Sequence, residues 1–307
     1  MRIAIIGAGA MGGLFGGYLA KAGNDVTLID VRREAVERMA ADGLRIDDKS
    51  GHSQIVRVSA ETDPGKVGQV DLVLVFVKCM YTEAAVRSAG PLLSSQTMVL
   101  TLQNGWGNAS RIADIVGKER LLAGVTYHSS TVLGPGHVQH TEPGATFIGE
   151  LDGKISQRLK RIGEVFNTAG IEVTLSENVI KEIWSKLLLC VCTLPTSALL
   201  RFASGQLIEH QGTLELMRSL LHEAVVVAKM QGVDFDEEKY WEYTTDSFKR
   251  YPGSKASMLQ DVENRRRTEI DVINGAIVEA GKRQNVPTPF NSVMVWLIKS
   301  LEETFAS

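Results

Sequence analysis

The chain has 307 residues, 44% hydrophobic and 22% charged, with a formal net charge of −3. That is an ordinary globular composition with room for two domains, and it excludes disordered, collagen-like and globally basic proteins. Without a basic field no nucleic-acid partner is expected, and the triplet Arg265-Arg266-Arg267 reads as a solvated face or ion-pair network inside a helical pattern.

The first segment, Arg2-Ile3-Ala4-Ile5-Ile6, reads as a buried strand, and Gly7-Ala8-Gly9-Ala10-Met11-Gly12 follows without a spacer. Leu14, Phe15, Tyr18 and Leu19 then recur at helical spacing. Strand, glycine turn and helix together form the dinucleotide fingerprint. Gly7 permits the turn, Gly9 lets a pyrophosphate approach the backbone, and Gly12 lets helix and strand pack closely. A second strand, Asp25–Ile29, ends at Asp30, where an acidic side chain grips the adenine ribose. Asp30 would also repel a 2′-phosphate, which favours NAD over NADP. Arg32 and Arg33 pull the other way, because a guanidinium pairs with that phosphate.

Alternation continues. The spacing predicts a helix over Arg33–Ala41, a hairpin from Leu44–Asp48 and Gln54–Val58, and a buried strand over Asp71–Val77. A helix over Thr82–Leu93, a strand over Met98–Leu102 and a helix over Asn108–Val116 follow. Leu121–Thr131, His137–Thr141 and Thr146–Ile148 read as strands extending the sheet edge. A helix near Ser156–Ala169 and a strand over Ile171–Leu175 close the first domain. Beyond Ser176 nearly everything has helical period: Thr213–Met230 stopped by Gly232, a long helix over Ser257–Arg283, and a last one over Phe290–Thr304. The expected fold is an α/β N-terminal Rossmann-type parallel sheet (1–176) plus an all-α C-terminal domain (177–307), with substrate bound in the cleft between them.

Cys79, Cys190 and Cys192 are too few for a disulfide framework and lack metal-ligand spacing. Free thiols in a reducing compartment and no metal site are expected. A first strand at residue 2 leaves no room for a signal peptide, and the apolar stretch near Leu187–Val191 is too short to span a bilayer. The expectation is a cytoplasmic protein with no membrane partner. The long apolar helices could bury a homodimer interface or simply be core.

Several places could carry chemistry. Asn104, in Leu102-Gln103-Asn104-Gly105, follows a parallel strand, where ligands of such sheets bind, although Asn-Gly is also a common turn pair. Lys78 ends the preceding strand on the same rim, or simply snorkels there. Lys186 sits on a helix among Ile183, Leu187, Leu189 and Cys190. Such surroundings disfavour an ammonium charge, so its pKa should fall and suit a general acid. The plainer reading is a lysine reaching solvent. Ser257-Met258-Leu259-Gln260 reads as a capping box whose Ser257 could also bind a carboxylate. Glu269 could pair with Arg265 or Arg266 at helical spacing, or reach substrate.

These pieces together resemble the ketopantoate reductase (2-dehydropantoate 2-reductase) family of pantothenate biosynthesis. The likeness rests on the glycine motif, Leu-Gln-Asn-Gly, Trp-x-Lys-Leu, and Ser-Met-Leu-Gln-Asp followed by Thr-Glu-Ile-Asp-x-Ile-Asn-Gly. It implies a Rossmann domain plus a helical domain, NAD(P)H as cofactor with a family habit of NADPH, and a small 2-oxo acid as substrate. By the same resemblance Lys186 is the general acid and Asn104 orients it or the cofactor. Ser257 binds substrate, Glu269 contacts substrate or the lysine, and Lys78 lies on the cofactor side. The family's lysine helix usually presents asparagines four and eight residues after the lysine, where this chain has Cys190 and Leu194. That fits a more apolar substrate, as in NAD-dependent D-2-hydroxyacid (mandelate-type) dehydrogenases of the same fold. A non-catalytic dinucleotide sensor is the alternative of another class, against which the retained Lys186, Ser257 and Glu269 argue.

Overall fold

The computed structural model describes residues 1–305. Two compact units emerge: Met1–Gln103 with Asn108–Glu182, and Asn104–Gly107 with the chain from Ile183 onward.

The first unit runs β1 (Arg2–Ile6), α1 (Ala10–Lys21), β2 (Asp25–Ile29), α2 (Arg33–Asp42), β3 (Leu44–Asp47), β4 (Ser53–Val56), β5 (Ser59–Glu61), β6 (Leu72–Val75), α3 (Thr82–Ser88), β7 (Met98–Thr101), α4 (Asn108–Val116), β8 (Leu121–Thr126), β9 (Ser129–Gly134), β10 (His137–Glu142), β11 (Thr146–Gly149), α5 (Gln157–Thr168) and β12 (Val173–Leu175). Eight strands form one sheet in the order β12-β11-β8-β7-β6-β1-β2-β5. From β5 to β8 every pairing is parallel, and β11 turns antiparallel against β8. The strand order reverses direction at β1, between β2 and β6, which is where doubly wound sheets open a crevice for ligands. The central strands β6 and β7 are buried at all four positions, as expected of parallel strands covered on both faces.

Three expectations for this unit are corrected. The helix over Thr82–Leu93 stops at Ser88, and Gly90–Leu92 is a 3₁₀ turn. Pro91 disfavours helical backbone at the residue before it. The strand over Leu121–Thr131 is two strands, broken at Tyr127-His128. Of the strands expected over Leu121–Thr131, His137–Thr141 and Thr146–Ile148, β8 and β11 extend the main sheet, whereas β9 and β10 join the β3–β4 hairpin in a second sheet, β4-β3-β10-β9. That sheet lies on the outer face of α1. An added Cβ on Gly16 would stand 2.5 Å from Leu28 of the main sheet, and one on Gly17 would stand 2.3 Å from Ile46 of the small sheet. Glycines on two faces of one helix let both sheets close on it.

A half-buried imidazole pair lies beside the small sheet. His140 Nδ1 lies 2.8 Å from the Tyr18 hydroxyl, and its Nε2 lies 3.0 Å from His128 Nδ1. Burial holds the His140 pKa below its ordinary 6.5, against opposing pulls from the Glu142 backbone and the Asp48 charge. Folding therefore favours the neutral ring, whereas the unfolded chain binds the proton more readily. The stability this contributes is complete above pH 6.5 and declines as pH falls toward the folded value. Melting at pH 7.5 and pH 5.0 checks this, because His140→Gln should narrow the gap between the two melting temperatures by about 2–4 °C. An unchanged gap would rule out His140 as a contributor.

In the second unit the helices are α6 (Val179–Leu200, whose first residues belong to the first unit), α7 (Gln211–Met230), α8 (Glu237–Arg250), α9 (Ser257–Glu263), α10 (Asn274–Gln284) and α11 (Pro289–Glu303). Gly232 follows α7 with φ 80°, as its helix-stop reading requires. The apolar stretch near Leu187–Val191, expected to be too short to span a bilayer, lies within the 22-residue α6, which by length and composition could cross one. It is mostly buried inside the fold, which makes it a core helix.

The long helix over Ser257–Arg283 is also corrected. It breaks after Glu263, and Arg265 adopts left-handed backbone with φ 51°. The Arg265 N–H donates to Val262 O and the Arg266 N–H to Asp261 O, which is a Schellman closure achieved without glycine. The arginine triplet therefore lies in a connection, and Ile270–Val272 is a separate 3₁₀ turn ahead of α10. The capping box does not form either. Ala256 is the N-cap, Ser257 is the first helical residue, and the Gln260 amide donates to Lys255 O.

Pro195 sits inside α6 and has no N–H to offer Val191 O, four residues back. The buried Asn274 amide takes that place, donating to Val191 O at 3.0 Å and to Asn291 Oδ1 at 2.9 Å. Asn291 in turn donates to the buried Glu223, whose carboxylate also accepts the first N–H groups of α11. This network joins α6, α7, α10 and α11 around a proline.

Candidate functional site

The glycine turn meets each geometric demand of its motif. Gly7 has φ 97°, and its N–H donates to Ile29 O at 2.8 Å. A Cβ there would stand 2.8 Å from the Phe76 and Val77 backbone at the end of β6. One on Gly12 would stand 1.9 Å from the Gly7 carbonyl oxygen. Gly9 differs: it is the N-cap of α1, no side chain caps the helix there, and an added Cβ would meet nothing within 4 Å. Ala8, Ala10 and Met11 complete the turn, and the first amides of α1 have no side-chain cap at Gly9, where an anion would be stabilised. A dinucleotide pyrophosphate fits this cradle.

Asp30 ends β2 and is buried, with 8% of its surface exposed. Arg32 donates to it from Nε and Nη2, both at 2.9 Å, and from its backbone N–H at 3.0 Å. Burial alone would raise the Asp30 pKa, and the Arg32 hydrogen bonds overcome it and hold the carboxyl below its usual range. Arg32 Nη2 also reaches Ala8 O in the glycine turn at 3.4 Å. The strand end thus presents an ion pair, with the Arg32 guanidinium on Asp30 itself. Lys78 lies half-buried just past β6, heading the 3₁₀ turn Cys79–Tyr81.

The second unit holds the remaining candidates. Lys186, Cys190 and Leu194 repeat every fourth residue and share one face of α6. Ile183, Trp184, Leu187 and Leu188 around the lysine are buried. This desolvation lowers the Lys186 pKa, and the nearby Cys190 and Glu269 pull it back only in part. The same burial pushes the Cys190 thiol up to about 11, so it is neutral at physiological pH. Glu269 heads the 3₁₀ turn Ile270–Val272 rather than standing in a helix with Arg265. Ser257 is exposed at the start of α9, and among the described residues no hydrogen bond ties it to Lys186 or Glu269.

Asn104 opens the four-residue loop that packs with the helical unit. Gly105 has φ 91° and could carry no side chain, because a Cβ would stand 2.5 Å from Val272 O. The Trp106 N–H donates to that same carbonyl at 2.8 Å. The structure therefore brings the Asn104 loop to the Glu269 turn, and Glu269 to Lys186. Three contributors had gone unread in the sequence: Trp106, Asn274, and Tyr240, whose hydroxyl donates to the Ser185 carbonyl beside Lys186. The Asn274-Gly275 pair and the proline in α6 were the available signals for one of them.

Residues 3–153 match the family model described as ketopantoate reductase PanE/ApbA, and residues 178–302 match that of its C-terminal domain. The chain belongs to the ketopantoate reductase family. It is 33% identical over 299 residues to a 2-dehydropantoate 2-reductase of Halobacterium salinarum, covering 97% of this chain and 98% of that protein. The same figure of 33% holds over 305 residues for the Pyrococcus abyssi enzyme of that name, at 98% coverage of both chains. Among solved structures, a ketopantoate reductase of Ralstonia eutropha JMP134 superposes with a TM-score of 0.92 at 33% identity, covering all of both chains. D-mandelate dehydrogenase with NADH and anilino(oxo)acetate gives a TM-score of 0.95 at 28% identity, covering 100% of this chain and 99% of that one. This ketopantoate reductase homologue is accordingly a nicotinamide-dependent oxidoreductase with a dinucleotide-binding fold and a helical C-terminal region.

Proposed function

We propose that this ketopantoate reductase homologue reduces the ketone of a 2-oxo acid, with ketopantoate to pantoate as the leading reaction and Lys186 as the general acid. The observation that carries the reading is the desolvated Lys186 beside Glu269, in a chain matched to the family along both segments. A bound reduced nicotinamide supplies the hydride. The uncapped start of α1, with Gly7 through Gly12, holds its pyrophosphate, Asp30 and Arg32 meet the adenosine end, and Lys78 serves the same ligand. The Lys186 ammonium donates to the ketone oxygen, offsets the negative charge that grows there, and releases its proton as the alcohol forms. Glu269 favours the charged lysine and restores its proton from solvent. Asn104 orients the lysine or the substrate, and the Ser257 hydroxyl donates to the substrate carboxylate.

NADH is the proposed form of the cofactor. Arg32 is already bound to Asp30 through two nitrogens, so a 2′-phosphate would have to compete with the buried Asp30 carboxylate for that guanidinium. The same reading places the chain in the cytoplasm. It also includes a homodimer, for which sedimentation at the monomer mass would be the contrary result.

A second reading follows from Cys190 and Leu194, at 6% and 8% exposure, where the family pattern has asparagines. Neither side chain rewards a substrate hydroxyl as an amide would. An apolar 2-oxo acid, aromatic or branched, suits them better, and the D-mandelate dehydrogenase structure is the neighbour with that chemistry. Oxidation of NADH and NADPH should be followed against ketopantoate, phenylglyoxylate and branched 2-oxo acids. The double change Cys190→Asn with Leu194→Asn should shift kcat/KM toward ketopantoate by about tenfold or more. A wild-type preference for ketopantoate, untouched by the double change, would remove the second reading. Tight dinucleotide binding without turnover of any ketoacid would remove both and leave a sensor.

A further inference from the structure

Trp106 lies in the loop that follows Asn104, and nothing in the glycine or lysine motifs assigns it a role. Its backbone N–H is fixed to Val272 O at 2.8 Å, three residues after Glu269. Its ring packs on Trp184, with centroids 5.2 Å apart and planes inclined by 43°. Trp184 is fully buried in α6, two residues before Lys186. One residue therefore touches all three segments that carry the candidate groups: the Asn104 loop, the Lys186 helix and the Glu269 turn. Gly105 and Gly107 on either side of Trp106 both have positive φ. Backbone of that kind is held by contacts rather than by local preference.

We infer that Trp106 is a positioning residue, setting Asn104 against Lys186 and Glu269 through its seat on Trp184. This rests on the assignment of those three groups to the reaction. Small errors in such placement are costly, since a displacement of about 1 Å can lower turnover ~100-fold. The indole is the part that indexes the loop to α6, because the bond to Val272 uses only backbone and would survive a change of side chain.

The test compares Trp106→Ala, Trp106→Phe and Lys186→Ala in the full chain, with NADH and the best 2-oxo acid from the substrate screen. Trp106→Ala should lower kcat by about 10- to 100-fold, with the KM for NADH changed less than about threefold. Trp106→Phe keeps an aromatic ring on Trp184 and should recover most of that loss. Far-ultraviolet circular dichroism adds a structural readout, because the close Trp106–Trp184 pair should give an exciton couplet that both Trp106 variants abolish. A purely structural role would lower melting temperature and folded yield while leaving kcat per folded molecule unchanged, and that result overturns the inference. If Trp106→Ala does not fold, Trp106→Leu carries the same expectation. Loss of turnover in Lys186→Ala alongside an unimpaired Trp106→Ala refutes only the role of Trp106. Near-normal turnover in Lys186→Ala refutes the catalytic assignment itself.

Discussion

Lys186→Ala should reduce turnover of a 2-oxo acid by about 10²- to 10⁴-fold while dinucleotide affinity stays nearly intact. The size follows from the role proposed for the ammonium, which is to supply both a proton and the charge that balances the nascent alkoxide. The separation from binding follows from the chain's organisation, since Lys186 belongs to the helical unit and the glycine turn to the other. The pH profile should carry the same signature. Burial lowers the Lys186 pKa from 10.5, so its acid form is lost as pH rises through that depressed value. Turnover should fall along an alkaline limb lying below 10.5, and the limb should be absent from the residual activity of the variant. Lys186→Met separates chemistry from folding. It keeps the length of the side chain and removes a charge that desolvation disfavours, so its melting temperature should equal or exceed wild type. A fall in kcat of less than about tenfold in both variants would end the case for Lys186 as the acid.

How far the sequence went is explained by where the information sits. β1, the glycine turn, α1 and β2 were legible because strand period, glycine spacing and helical period change within a few residues of one another. Lys186 was legible as a charge among aliphatic neighbours, and the family likeness gave it a role. The second sheet was not legible, because its four short strands come from two distant stretches and carry mixed burial. Its trace was the doubling of glycines in α1, Gly12-Gly13 and Gly16-Gly17, which only a helix packed on two faces needs. The break after Glu263 was hidden for a different reason. Helix endings of that geometry usually take glycine, and here Arg265 adopts the left-handed turn with its guanidinium bonded to Thr304 O. Ser257 shows the limit of a motif read alone. Ser-x-x-Gln is a capping signature, yet the helix begins one residue earlier than that signature places it. Trp106 was invisible because its partners, Trp184 and Val272, lie 78 and 166 positions away and no local pattern points to them.

A pair of glycine substitutions separates the binding role of the turn from its structural one. Gly9→Val should leave the melting temperature of the free protein within about 2 °C of wild type, because the added atoms enter open space and the extended backbone of Gly9 suits a branched residue. The same atoms would occupy the path by which a pyrophosphate reaches the first amides of α1. Dinucleotide Kd should therefore rise by about 100-fold or more, which corresponds to ~2.8 kcal/mol. Gly12→Val should behave in the opposite order. Its Cβ would stand 1.9 Å from the Gly7 carbonyl oxygen, a backbone atom that cannot turn aside. α1 would be forced off the sheet, lowering the melting temperature by roughly 5–10 °C before any ligand is added. Equilibrium binding of NADH by fluorescence, together with calorimetric melting of both variants, checks the pair. If Gly9→Val bound the dinucleotide as tightly as wild type, the phosphates would lie somewhere other than the start of α1. The placement of Asp30 and Arg32 at the adenosine end would then fall with it.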